Sequence, residues 1–457
     1  MNNNLEYKKE TFFEKFGEKE LSAAFEYSNG YMQFLDAAKT ERKAVRYAII
    51  EAEKRGFVPY DFGDKLKKGG KYYYNNRDKN IFLFVIGKED IEQGFRISAA
   101  HIDSPRIDLK QCPLYDEGGM GFFKTHYYGG IRKYQWLALP LSLHGVVAKK
   151  DGSVIDINIG EDDTDPIFYI NDLLPHLSGE DDKKPLGSAV PAEKLNILIG
   201  SIPGGEEAEK SIKHNILTIL NGKYGIEEED FLSAELSAVP SLKARDIGFD
   251  RSLIGAYGHD DRVCAYPALS ALFDNSENPE HSLMCVLADK EETGSEGNTG
   301  MQSDLFTDII SDISATLNAN VFKVRANSKC LSADVSAAFD PNFSEVFEKL
   351  NSPMLSCGAI LTKYTGARGK SSTNDASAEY IAWLRNVMDK DGVLWQTGEL
   401  GKVDVGGGGT VAKYVAKHNI DTIDLGVPVI SMHAPYEVVS KVDVYETYRA
   451  FCAFSKN

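Results

Sequence analysis

Apolar side chains recur at helical spacing over residues 20–55, and the stretch closes on Lys54-Arg55-Gly56, two basic residues and a glycine suited to a helix C-cap. Beyond it the period shortens. Residues 81–87 and 95–103 are compact β-type apolar runs, the second closed by Ser104-Pro105. Residues 282–287, 330–335 and 427–432 read as buried strands, and residues 269–273 belong to a helix predicted to start just after Asp260. The final segment opens on Asp443 with Glu446 three residues later, the spacing of a capping box, and continues as an amphipathic helix through Tyr448 and Phe451. Strands alternating with helices predict an α/β layer architecture.

Between about Leu109 and Ile247 the character changes. Residues 141–149 and 154–159 pattern as a hairpin around Lys150-Asp151-Gly152. Residues 179–184 form a charged, solvated loop, and Gly204-Gly205-Glu206-Glu207 is a flexible spot. The expectation is an inserted domain over 109–247, interrupting one built from 1–108 and 248–457, because the residues with chemical promise flank the middle.

A chain of 457 residues can bury the cores of two domains. Hydrophobic content of 42% and charged content of 26% are ordinary for a soluble globular protein. The net charge of −17 argues against nucleic acid and against anionic membrane surfaces, both of which want a basic face. The six cysteines are scattered without a Cys-x-x-Cys pair, the usage of a reducing cytosol. No secretory pattern opens the chain, and no apolar stretch approaches the roughly 20 residues that span a bilayer. The expected location is the cytoplasm, with no membrane and no nucleic acid as partner.

The strongest chemical signal is Asp289-Lys290-Glu291-Glu292-Thr293-Gly294-Ser295-Glu296-Gly297, directly after a buried apolar strand. Two adjacent carboxylates there repel each other and are penalised by desolvation, and a metal ion is the usual compensation. The glycines and serine let the backbone turn so that both side chains reach one site. Four further pieces match. In His101-Ile102-Asp103, residues i and i+2 share a strand face, so Asp103 can fix the tautomer of a metal-bound His101. Gly258-His259-Asp260-Asp261-Arg262 sits at a helix entry, where either Asp alone would be a cap. Ser332-Ala333-Asp334 and Ser431-Met432-His433-Ala434-Pro435 place an acid and a histidine where strands give way to turns. Each piece alone has a bland explanation. Jointly they form a nitrogen and oxygen donor set at the sheet edge where α/β ligands gather.

These ordered motifs (His-x-Asp-Ser-Pro, the acidic pair, Glu-Glu-x-Gly-Ser-Glu, Ser-Ala-Asp and Met-His) resemble the aspartyl aminopeptidase family, the M18 metallopeptidases, over nearly the whole chain. The resemblance implies a fold in which a metallopeptidase domain, with a central mixed sheet flanked by helices, is interrupted by a smaller β-rich dimerisation domain. It implies two divalent ions, zinc first and manganese or cobalt as alternatives. His101, Asp260 and Asp334 would hold one ion; Asp260, Glu292 and His433 would hold the other, with Asp260 bridging. Glu291 matches the general base, and Asp103 the acid that orients the histidine. His176, in a segment that resembles one reaching a neighbouring subunit, would stabilise the oxyanion in trans. Implied partners are peptides and further copies of the chain, dimers assembling into a hollow tetrahedral dodecamer.

The family often carries Asn after the bridging Asp. Asp261 in that place leaves open which acid bridges, and Arg262 could neutralise it. Lys370, Lys402 and the loop 406–410 fall where the family shapes its substrate pocket, without deciding between acidic and neutral N-terminal residues. A metal-dependent deacylase or carboxypeptidase could use the same ligands, and an inactive scaffold could keep the fold. No Gly-x-Ser-x-Gly elbow supports a nucleophile hydrolase, and residues 406–409 do not form a dinucleotide fingerprint.

Overall fold

A computed structural model describes residues 5–205 and 210–457, so Glu206 and Glu207 of the glycine-acid spot lie outside the described residues. The chain divides into two compact units, one of Met1–Asp103, Ala244–Met432 and Glu437–Asn457, the other of Ser104–Lys243 and His433–Tyr436. The second unit opens on the strand Arg106–Glu117, which begins before residue 109.

In the first unit, alternation along the strands explains the architecture. Ile81, Leu83 and Val85 enter one core cluster while Phe82 and Phe84 enter another. Leu283, Cys285 and Leu287 separate from Met284, Val286 and Ala288 in the same way. A sheet buried on both faces needs apolar residues at every position, which is why these runs are continuous. The sheet has nine strands in the order Val58–Pro59, Lys71–Asn76, Asn80–Val85, Ser282–Ala288, Phe95–His101, Lys329–Ala333, Asp421–Gly426, Ala359–Thr362, Trp395–Thr397. It is mixed: the central strands Ser282–Ala288, Phe95–His101, Lys329–Ala333 and Asp421–Gly426 are mutually parallel, flanked by antiparallel pairings. Helices Glu18–Ala37, Glu41–Glu53, His259–Asp274, Ala378–Lys390 and Lys441–Lys456 contribute to the first cluster. Leu305–Thr316 and Val321–Asn327 contribute to the second.

Three local expectations are corrected. The helical pattern over 20–55 is two helices, because Ala38 leaves helical geometry and the Thr40 hydroxyl caps the Lys43 N–H to start the second. Residues 427–432 yield only the short strand Pro428–Ile430, which pairs with Ser336–Ala337 and Glu437–Ser440 in a separate five-stranded sheet. Asp443 and Glu446 do not form a capping box. The helix starts at Lys441, and the two acids accept backbone N–H groups from other segments: Ser356 and Gly358 on Asp443, Leu394 on Glu446.

The second unit is β-rich. Among the described residues its seven sheet strands run Val154–Ile159, Leu141–Ala148, Ala234–Pro240, Arg106–Glu117, Met120–Tyr128, Ile197–Gly200, Tyr169–Ile170, every neighbouring pair antiparallel. The expected hairpin is present, with Ala148 opposite Val154. Gly145 is required in mid-strand: its φ is +134°, and a Cβ there would meet the Glu235 carbonyl oxygen at 1.9 Å.

Candidate metal centre

The parallel strands Phe95–His101 and Ser282–Ala288 are in register with His101 opposite Ala288, so they end together. The Ile102 N–H donates to Ala288 O at 2.8 Å, carrying the pairing one residue past His101. After Ala288 the chain turns through a 3-10 segment, Glu291–Thr293, bounded by positive φ at Lys290, Gly294 and Ser295. Two of these three are not glycine, and the turn aims both glutamates back toward the strand ends.

Asp103, fully buried, organises the turn. Its Oδ1 accepts the Glu291 N–H and its Oδ2 the Glu292 N–H, each at 3.2 Å. The same carboxylate stands beside His101, whose Nδ1 is 3.3 Å from Oδ1 and 3.1 Å from the Asp103 carbonyl oxygen. His101 Nε2 therefore points the other way, 3.2 Å from Asp260 Oδ1 and 3.9 Å from Glu291 Oε2.

Asp260 and Asp261 are buried at the start of helix His259–Asp274, with non-helical backbone angles, so the regular helix begins at Arg262. The Asp260 N–H donates to Glu437 Oε2 at 3.1 Å. His259 is fixed on both ring nitrogens, by the Tyr31 hydroxyl at 2.6 Å and the Ile254 carbonyl at 3.1 Å, and burial holds its pKa down to about 3. It is a structural histidine, neutral and turned away from the acids.

The acids converge. His101 with Glu291 and Asp334, His101 with Asp260 and Glu292, and Asp260 with Asp261 and Asp334 each bring one ligand atom apiece within 4.8 Å of one another. Burial and then the charges of Glu291 and Asp261 push Asp334 well above the usual carboxylate range. Burial also raises Asp261, with Asp260 adding to it. Among the described residues neither Asp261 oxygen accepts a hydrogen bond of normal geometry, although the Cys264 thiol and the His101 N–H stand close enough to temper the shift. At His101 burial is the largest influence and favours the neutral ring. The hydrogen bonds to Asp103 and Asp260 outweigh it and hold its pKa well above the ordinary value. Carboxylates crowded at this density are relieved by a cation, and an imidazole with carboxylates is a donor set that suits zinc, manganese or cobalt.

Two sequence-derived site residues fall in the second unit. His433 has φ +64° and its Nδ1 lies 2.7 Å from the Gly130 carbonyl oxygen. His176 is exposed in a turn. Arg262 does not pair with Asp261: no ion pair joins them among the described residues. Its guanidinium, 1% exposed, donates through Nη2 to Lys39 O at 3.0 Å and Ile102 O at 3.3 Å. Sequence reasoning also missed Glu437 and Asp424. Asp424 is buried, and burial lifts it to about 7, with Glu291 adding to the shift. Its alternation in the run 421–426 is the one signal that could have found it, an acid amid apolar positions.

The model of the aminopeptidase I zinc metalloproteases (M18) matches residues 34–455. A probable M18 family aminopeptidase 1 of Clostridium acetobutylicum is 49% identical over 467 residues, covering 100% of both chains. The crystal structure of an M18 aminopeptidase from Thermotoga maritima superposes with a TM-score of 0.93 at 43% identity, covering 99% of this chain and 100% of that one. The mApe1 dodecamer of Saccharomyces cerevisiae shares the fold at a TM-score of 0.77 and 22% identity, covering 96% and 97%. Similarity at this level, running end to end over both units, means that the chain belongs to the M18 family and is an aminopeptidase, a metallopeptidase hydrolase.

Proposed function

We propose that the chain is a binuclear aminopeptidase that removes N-terminal residues, acidic ones included, from peptides in the cytoplasm. The observation that carries this reading is the meeting of His101, Asp260, Glu291, Glu292 and Asp334, whose ligand atoms approach in threes within 4.8 Å. His101, Asp260 and Asp334 would hold one ion, and Asp260, Glu292 and His433 the other. Two bound cations, zinc first, would acidify a water molecule and polarise the scissile carbonyl.

The chain's own groups do the rest. Glu291 takes the proton of the attacking water and delivers it to the departing amine. Asp103 holds His101 by Nδ1 and keeps Nε2 turned to the acids. His176 of a neighbouring copy donates to the tetrahedral oxyanion. A preference for acidic residues would draw on Arg368, Lys370 and Lys402, which line a pocket of about 240 Å³ with Tyr364, Glu399 and Asp404. Lys370 is already engaged by Asp375 at 2.9 Å, so Arg368 and Lys402 are the better anchors for a substrate carboxylate. Dimers formed through the β-rich unit would assemble into a hollow tetrahedral dodecamer, which admits peptides and excludes folded proteins.

The test is hydrolysis of Asp-, Glu-, Leu- and Ala-linked chromogenic amides before and after chelation, with zinc, manganese or cobalt restored. Release that dies with chelator and returns with metal is expected, and Glu291→Gln should lower kcat by about 10²–10⁴ with metal still bound. No release from any free-amine substrate under any metal would overturn the reading and leave a deacylase, a carboxypeptidase or an inactive scaffold.

A further inference from the structure

Arg262 is a buried cation that the proposed mechanism does not use. It is among the largest side chains of the protein that are fully buried. A guanidinium withdrawn from water is costly unless something compensates it. No carboxylate does so by contact: among the described residues no ion pair includes Arg262, and its Nε and Nη1 make no hydrogen bond. Its bonds go instead to two backbone carbonyls, Lys39 O and Ile102 O, with the Tyr257 ring 5.4 Å from its central carbon.

Ile102 lies between His101 and Asp103, and its N–H is already held by Ala288 O at 2.8 Å. Arg262 takes the carbonyl of the same residue. The backbone that presents both His101 and Asp103 is thus gripped at an N–H from the neighbouring strand and at a C=O from the helix. Arg262 is also the first regularly helical residue after Asp260 and Asp261. One side chain therefore ties the segment that carries Asp260 to the segment that carries His101, and, through Lys39, to the turn between the first two long helices.

We propose that Arg262 is a positioning residue that sets the spacing between His101 and Asp260, now 3.2 Å from Nε2 to Oδ1, and so fixes the ligand geometry for the first cation. This rests on the binuclear reading above. An alternative role is purely electrostatic, a cation that offsets crowded acids. The two roles differ in sign: removing a nearby positive charge alone would tighten cation binding, whereas loosening the ligand spacing weakens it.

The experiment titrates metal-free wild type, Arg262→Met and Arg262→Lys with zinc against a chromophoric chelator, and measures kcat and KM at saturating zinc. The expected result for Arg262→Met is a zinc affinity weakened about 10–100-fold, with kcat falling and KM nearly unchanged. Arg262→Lys keeps a buried cation but not the planar fork, and should recover part of the loss. Should the Met variant fail to fold by circular dichroism, the Lys variant decides, and a zinc affinity weakened by about threefold or more supports positioning. Zinc affinity and kcat unchanged, or zinc bound more tightly, in a folded variant would overturn it. Failure of the wild type to bind zinc or to release any residue strikes the binuclear reading itself and is seen before any variant is compared.

Discussion

Replacing Asp103 by Asn removes one charge and one acceptor from a group whose two oxygens are both engaged. Oδ1 accepts the Glu291 N–H and faces His101 Nδ1, and Oδ2 accepts the Glu292 N–H. Asparagine offers a single oxygen. If it occupies the Oδ1 place, the side-chain NH₂ confronts the Glu292 N–H and leaves that donor unsatisfied, at about 1–3 kcal/mol. If it flips, the NH₂ confronts the Glu291 N–H and leaves that donor unsatisfied instead. It also faces His101 Nδ1, whose proton then has only the Asp103 carbonyl oxygen to keep it off Nε2, the nitrogen needed for the cation. Loss of a carboxylate that orients a ligating histidine costs about 10–100-fold in metal affinity or activity, or about 1.4–2.7 kcal/mol at 1.36 kcal/mol per factor of ten. The expected outcome for Asp103→Asn is thus a joint loss: lower stability in urea, weaker zinc binding by chelator competition, and a lower kcat/KM at saturating zinc. A folded variant with kcat/KM within about twofold of wild type and unfolding free energy within about 0.5 kcal/mol would refute the reasoning, since only substitutions away from such features are that mild.

The other predictions concern acids that use their burial differently. Asp443→Asn should destabilise by about 1–3 kcal/mol in urea while leaving kcat and KM of the folded enzyme intact, because Ser356 and Gly358 each donate to one of its oxygens at 2.7 Å. Asp424 is held up near 7 by burial, above its unfolded value of about 3.9, so the stability it lends is complete below about pH 4 and is lost as pH rises through 7. Denaturant midpoints of metal-free wild type should therefore fall behind those of Asp424→Asn between about pH 4 and pH 7, and a constant difference across that range would contradict the burial argument. Chelation should lower the melting temperature, since zinc at 100 times its Kd adds about 2.7 kcal/mol to the folded state. A melting temperature indifferent to chelator would mean that folding does not build the site.

The central strands and the acids at their ends were legible because both break composition rules that hold locally. A doubly buried strand must be apolar at every position, and two glutamates beside it stand out against that background. What escaped was set by distant partners. Asp443 and Glu446 have the spacing of a capping box, but their donors arrive from 87 and 52 residues away. The break at Ala38 turns on a threonine cap inside a pattern whose apolar periodicity carries straight across it. Arg262 looked like a counter-charge for its neighbour in sequence. Its side chain instead reaches carbonyls 160 and 223 residues away, which no spacing rule could indicate.

Buried acids alone do not mark a metal site; the donors around them do. Asp443 and Glu446 are as deeply buried as Asp260 and Asp261, yet backbone N–H groups come to them at 2.6–2.7 Å, the arrangement of a carboxylate that braces the fold. The acids near His101 instead turn oxygens toward one another within 4.8 Å, and among the described residues neither Asp261 oxygen has a hydrogen bond of normal geometry. Like charges so placed are stable only as neutral acids or around cations. Asp103 shows how the two uses are joined. It is braced by N–H groups like Asp443, and the groups it braces are the backbones of Glu291 and Glu292, so the geometry of the acid cluster is written into the hydrogen bonding of the turn before any ion arrives.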